Sequence, residues 1–180
     1  MNIGFIGLGV MGRPMAGHLL AAGHELLVHR VKPASQHLVD AGAVAKESPR
    51  AVAQAADVVI LMVPDTPDVE VVLFGPEGVA EGLSKGDLVI DMSSISPVAT
   101  KDFAARLAAI GVDYLDAPVS GGEVGARNAA LTIMVGGKEE IFDRALPLFQ
   151  LMARHIYRVG GVGDGQRAKV ANQFIVPLTI

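Results

Sequence analysis

Residues 1–12 read MNIGFIGLGVMG, and no other stretch constrains the fold so tightly. Ile3, Phe5 and Ile6 make a short apolar strand, and Gly7, Gly9 and Gly12 follow as G-x-G-x-x-G. An apolar-stripe helix then runs through Met15, Leu19 and Leu20 to a stop at Gly23. Strand, glycine turn, helix is the order that a dinucleotide fingerprint requires. In such a unit the first glycine permits the tight turn, the second lets backbone approach a pyrophosphate, and the third lets helix and strand pack closely. The helix N-terminus presents unpaired N–H groups and the positive end of the helix dipole to the phosphates. The competing reading is a glycine-rich turn in some other α/β protein.

The rest of the chain continues the alternation. Strands are expected at 2–6, 25–30, 43–45, 57–63, 87–91 and 112–116, with helices between them at 10–22, 34–41, 48–55, 67–73 and 97–110. Apolar strands alternating with helical patterns across short polar turns imply βαβ units. The expected fold is therefore α/β, a doubly wound, mainly parallel sheet of the Rossmann type. Val58 to Val63 is continuously apolar, as a strand buried on both faces should be. Pro49, Pro67 and Pro97 sit where helices begin, a position proline tolerates. Beyond Asp116 a glycine-rich loop is expected over 117–129, then a strand at 131–136, a helix at 138–150 and a short strand at 155–159, extending the sheet in mixed orientation. The cluster Gly160-Gly161-Val162-Gly163-Asp164-Gly165 reads as a hinge, dividing a dinucleotide-binding domain, 1–162, from the start of a long helix, 163–180. That last pattern keeps an apolar face (Val170, Phe174, Ile175, Leu178) to the end of the chain, which suggests a piece of a longer protein.

Composition narrows the function classes. The chain is 51% hydrophobic and 19% charged, the balance of a globular protein. A net charge of −4 argues against a general nucleic-acid or anionic-membrane surface. There is no cysteine, hence no disulfide, thiolate ligand or thiol nucleophile, which fits a reducing cytoplasm. The five histidines have no metal-ligand spacing, so no metal is expected. The apolar N-terminus lacks the basic flank of a signal peptide, and the run 58–63 is far too short to span a bilayer.

Several residues at strand ends can carry chemistry. The second strand of an NAD-binding unit usually ends in an acid that holds the ribose 2′-hydroxyl. Here the stretch is Leu27-Val28-His29-Arg30-Val31-Lys32, with no acid. A guanidinium at Arg30 suits a 2′-phosphate, so the cofactor expectation leans to NADP over NAD. The bland alternative is a solvated basic turn. Val63 and Pro64 follow the fourth strand, and Ser93 and Ser94 the fifth, at the carboxyl edge where ligands lie in doubly wound sheets. Ser94 is a candidate cofactor contact, while Ser96 suits the N-cap of the helix that starts at Pro97. Ser120, Gly121 and Gly122 follow the sixth strand and offer a hydroxyl and bare N–H groups suited to a carboxylate. Ser120 is not in a G-x-S-x-G setting, which argues against a hydrolase nucleophile. Lys169 and Asn172 stand one turn apart on one helix face after the glycine cluster. A lysine beside a nicotinamide can give a proton to a carbonyl, although most helix lysines are simply solvated.

Taken together, GFIGLGVMGRPMAGHL (4–19), DAPVSGG (116–122), ARNAALTIMVGG (126–137) and GDGQRAKVANQ (163–173) resemble the β-hydroxyacid dehydrogenase family, in its order and across nearly the whole chain. Residues 62–75, 91–97 and 114–127 look particularly like the branch that reduces tartronate semialdehyde, with the 3-hydroxyisobutyrate branch the near alternative. The resemblance implies a turn Gly7, Leu8, Gly9, Val10, Met11 and Gly12 along the pyrophosphate, and cofactor contacts at Val63, Pro64 and Ser94. It implies Ser120, Gly121 and Gly122 on the substrate carboxylate, Lys169 as catalytic lysine and Asn172 beside it. It further implies a small 3-oxo or 3-hydroxy acid substrate, an all-helical domain after the last helix and a homo-oligomer. A non-catalytic dinucleotide-binding module stays open, although such a module has no need of Lys169 and Asn172. An imine-reducing relative is disfavoured because its lysine is replaced.

Overall fold

The computed structural model describes residues 1–175. Its strands are β1 (Asn2–Ile6), β2 (Glu25–His29), β3 (Val44–Lys46), β4 (Val58–Leu61), β5 (Leu88–Asp91), β6 (Asp113–Asp116), β7 (Val119–Ser120), β8 (Leu131–Gly136) and β9 (Ala153–Gly160). Its helices are α1 (Gly12–Ala21), α2 (Gln36–Asp40), α3 (Pro49–Ala53), α4 (Thr66–Phe74), α5 (Pro97–Ala108), α6 (Gly122–Arg127), α7 (Glu139–Gln150) and α8 (Asp164–Ile175). The strands form one sheet in the order β3-β2-β1-β4-β5-β6-β8-β7, with β9 paired to β8. Pairing is parallel from β3 through β6, then antiparallel where β8 meets β6 and β7, and parallel again between β8 and β9. The expected doubly wound sheet is present, with a mixed C-terminal edge.

The continuous apolar run of β4 has a direct cause. Successive strand side chains point to opposite faces. Val58 and Ile60 join the layer holding Met15, Leu19 and Phe149, whereas Val59 and Leu61 join the opposite layer with Val52, Val69, Leu73 and Phe103. Both faces of β4 are covered by helices, so all four of its residues are apolar and buried.

Helix starts follow local chemistry. Ser48 and Ser96 accept hydrogen bonds from Ala51 N and Ala99 N, and Asp65 accepts from Thr66 N, each just ahead of a helix with proline in its first turn. Ser96 thus takes the cap expected of it. The expectation of a loop throughout 117–129 is corrected, because β7 pairs with β8 and α6 follows it directly. Two glycines inside α6 hide it from a propensity reading. It forms because Gly125 and Ala126 are buried and His18 Nε2 lies 2.9 Å from the Ala126 carbonyl oxygen, docking α6 on α1. The expected helix over 34–41 is likewise a 3₁₀ turn at Pro33–Ser35 followed by the short α2.

Candidate active site

The sheet order reverses between β1 and β4: the chain leaves β1 toward β2 and β3, then returns to lay β4 on the other side. A crevice therefore opens outside the carboxyl ends of β1 and β4, the usual ligand position in this topology. Its floor is the glycine turn. A Cβ on Gly7, whose φ is +106°, would stand 2.1 Å from the Met62 carbonyl oxygen, and one on Gly12 would stand 1.8 Å from the Gly7 oxygen. Both glycines are demanded by the protein's own packing. At Gly9 a Cβ would meet nothing within 4 Å, so the protein leaves that space open. An exposed bare backbone that internal packing does not require fits close approach by a pyrophosphate. Met11, the N-cap of α1, takes no side-chain cap, which leaves the helix N-terminus available to an anion.

Around this floor the expected contacts converge unevenly. Val63 N–H donates to Ser93 Oγ at 3.0 Å, and Ser93 N–H donates to Asp91 Oδ1 at 2.9 Å. Ser93 is fully buried and spent on these bonds, whereas its neighbour Ser94 is exposed. Pro64 is exposed at the same edge. Arg30 is exposed just beyond β2 with φ at +55°, and no carboxylate pairs with it among the described residues.

The second half of the site is α8. Asp116, at the end of β6, accepts from Gly163 N at 2.8 Å through one carboxylate oxygen and from Gln166 N at 2.9 Å through the other. Gly165 lies so close to β6 and β8 that a Cβ there would stand 2.6 Å from the Met134 oxygen and 2.7 Å from the Asp116 oxygen. The helix is thereby seated on the sheet, and its first turn fixes where the next turn points. Lys169 comes from that next turn; it is 9% exposed and lines an open pocket of about 290 Å³ with Ser94, Ile95, Gln166, Val170 and Gln173. Burial pushes its ammonium below the ordinary lysine range. Asn172, one turn on, donates to Ser120 Oγ at 3.4 Å, joining α8 to the Ser120-Gly121-Gly122 stretch. Gly121 and Gly122 hold φ values of +129° and +58°.

Sequence reasoning missed the polar residues beneath this arrangement. Asp91 is wholly buried and accepts from the Tyr114 hydroxyl at 3.0 Å as well as from Ser93 N. Desolvation raises its pKa to about 6, against the opposing pull of those hydrogen bonds. Burial also raises Asp116, partly countered by the N–H groups of Gly163 and Gln166. The one available signal was an acid closing each of two apolar strands, Asp91 and Asp116.

Residues 2–161 match the family described as the NAD binding domain of 6-phosphogluconate dehydrogenase. The chain is 55% identical over its whole length to the 2-hydroxy-3-oxopropionate reductase of Escherichia coli (strain K12), covering 62% of that protein. The chain belongs to the β-hydroxyacid dehydrogenase family. Another member, the mitochondrial 3-hydroxyisobutyrate dehydrogenase of Bos taurus, is 39% identical over 99% of the chain and 53% of its own length. Among solved β-hydroxyacid dehydrogenases, the Mycobacterium tuberculosis 3-hydroxyisobutyrate dehydrogenase with L-serine superposes with a TM-score of 0.90 at 36% identity, over 97% of this chain and 59% of that one. The chain thus spans roughly three fifths of the length of these family members. The matching family supports a nicotinamide-dinucleotide cofactor for this chain. No helix among the described residues is long and apolar enough to cross a membrane.

Proposed function

We propose that this chain supplies the dinucleotide site and the proton donor of an NAD(P)H-dependent reductase that converts tartronate semialdehyde (2-hydroxy-3-oxopropionate) to glycerate. The observation that carries the reading is Lys169. It is largely buried, lowered in pKa and lines a pocket shared with Ser94, while Asn172 on the same helix reaches Ser120. The 55% identity to a reductase of that name supports the substrate.

Gly7, Leu8, Gly9, Val10, Met11 and Gly12 would hold the pyrophosphate, with Val63, Pro64 and Ser94 along the rest of the cofactor. Arg30, exposed where an acid usually stands, favours NADP(H) over NAD(H) by offering a 2′-phosphate its paired N–H donors. A bound reduced nicotinamide supplies the hydride to the aldehyde carbon. Ser120 Oγ and the backbone of Gly121 and Gly122 bind the substrate carboxylate. Lys169 Nζ donates to the carbonyl oxygen, polarises it and releases a proton to it as the alcohol forms. Asn172 holds Ser120 and the substrate oxygen in reach of that proton. In the oxidative direction neutral Lys169 takes the proton back. Reduction therefore slows, and oxidation quickens, as pH rises through the lowered lysine pKa.

The test is reduction of tartronate semialdehyde by the full-length protein with NADPH and NADH in parallel, beside 3-hydroxyisobutyrate oxidation. Turnover of tartronate semialdehyde, faster with NADPH, is expected. Preference for 3-hydroxyisobutyrate would move the substrate assignment to the other branch. Cofactor binding without turnover of either would favour the non-catalytic module.

A further inference from the structure

Gln166 is 1% exposed, and both ends of its side-chain amide are used. Nε2 donates to the Ser93 carbonyl oxygen at 2.7 Å, and Oε1 accepts from Ile95 N at 3.1 Å. The amide therefore grips the backbone on either side of Ser94 from a partner more than seventy residues away in sequence. Its own N–H is held by Asp116, and it precedes Lys169 by one helical turn. Ser93 in turn carries Val63 N on its hydroxyl. One side chain thus ties the strand-end loop bearing Ser94 to the helix bearing Lys169. The amide meets both demands, because one backbone group needs a donor and the other an acceptor. Glutamate keeps the acceptor and loses the donor; methionine of similar length loses both.

We infer that Gln166 is a positioning residue for this reaction, which sets the spacing between the cofactor-side Ser94 and the proton donor Lys169. The inference rests on the reading of Lys169 proposed above. It concerns the spacing of Ser94 and Lys169 and not the glycine turn, since the side-chain and N–H hydrogen bonds of Gln166 go to Ser93, Ile95 and Asp116 and none goes to Gly7–Gly12. Loss of the clamp lets the Ser93–Ile95 loop move relative to α8, and misplacement of that order costs on the order of tenfold to hundredfold in rate.

The experiment compares Gln166→Met, Gln166→Glu and Lys169→Ala with the wild type in the full-length protein. Cofactor Kd, kcat at saturation and amide exchange at Ile95 in cofactor-free protein are measured well below each variant's Tm. Expected for Gln166→Met is a cofactor Kd within about threefold of wild type, kcat lower by at least about tenfold, and faster exchange at Ile95. Gln166→Glu should keep Ile95 protected and still lose kcat, because its carboxylate cannot donate to Ser93. A role confined to helix docking would lower Tm and leave kcat at saturation intact in both variants, which overturns the inference. Unchanged Ile95 exchange in Gln166→Met overturns it as well, and that reading needs no turnover. If Lys169→Ala retains full activity, the catalytic reading fails instead, and the two failures are told apart.

Discussion

Two of the strand–glycine–helix junctions among the described residues are built on opposite principles. The first, Gly7–Gly12 between β1 and α1, is one continuous stretch whose demands are steric: a Cβ on Gly12 would meet the Gly7 oxygen and one on Gly7 the Met62 oxygen, while Gly9 is left open. The second, Ser120–Gly122 between β7 and α6, is completed from afar. His18 of α1 docks α6, Asn172 of α8 reaches Ser120, and α8 itself is seated by the buried Asp116. On the proposed reading, the phosphate half of the site is encoded mostly in local backbone. On the same reading, the half of the site that places Lys169, Asn172 and the Ser120–Gly122 stretch draws on distant elements and on the buried Asp116.

The contrast can be broken at its steric end first. Gly12→Ala drives a methyl into the Gly7 carbonyl, so chemical denaturation should show a loss of about 3 kcal/mol or more, with cofactor binding lost alongside. Gly9→Ala should leave the cofactor-free protein within about 0.5 kcal/mol of wild type and weaken only the cofactor Kd. Equal destabilisation by the two would erase the distinction between packing glycine and ligand glycine.

The acids sharpen the other end. Asp91 in the folded protein titrates near pH 6, above its ordinary 3.8, so the fold holds this proton more tightly than the unfolded chain does. Its contribution to stability is greatest below pH 3.8 and is lost as pH rises through 6, a cost of about 3 kcal/mol above that point. Asp91→Asn has no proton to lose. Its stability relative to wild type, from urea unfolding, should therefore rise by about 3 kcal/mol between pH 3.5 and pH 7.5. A flat difference across that range would mean that Asp91 is ionised at no cost.

A smaller effect is expected at the second junction. Gly122 has φ at +58° and a Cβ there would meet nothing within 4 Å, so Gly122→Ala meets only left-handed strain, about 1 kcal/mol. Substrate KM should rise while cofactor Kd holds. A change in cofactor Kd without one in KM would place Gly122 on the wrong ligand.

What could be read in the sequence divides along the same line. β1, the glycine turn and α1 are contiguous, and the proline-started helices carry their caps beside them, so Ser96 was legible as a cap. Ser120 and Lys169 were legible as chemistry-bearing types in motif settings. The short β7 and α6 were not, because a two-residue strand and a helix with internal glycines exist only through contacts with β8 and α1. Asp91, Asp116 and Gln166 were missed as a network for the same reason: each is an isolated polar residue whose partners lie far off along the chain. The positive φ of Arg30 has no local signature at all.

The most direct test of the account compares Lys169→Ala with wild type in kcat and cofactor Kd, measured on the same preparations of full-length protein. Proton donation from α8, separate from the phosphate site at β1, predicts a kcat reduced by on the order of 10²–10⁴ with cofactor Kd essentially unchanged. Turnover that survives while cofactor affinity collapses would contradict it, and would make Lys169 part of the cofactor site.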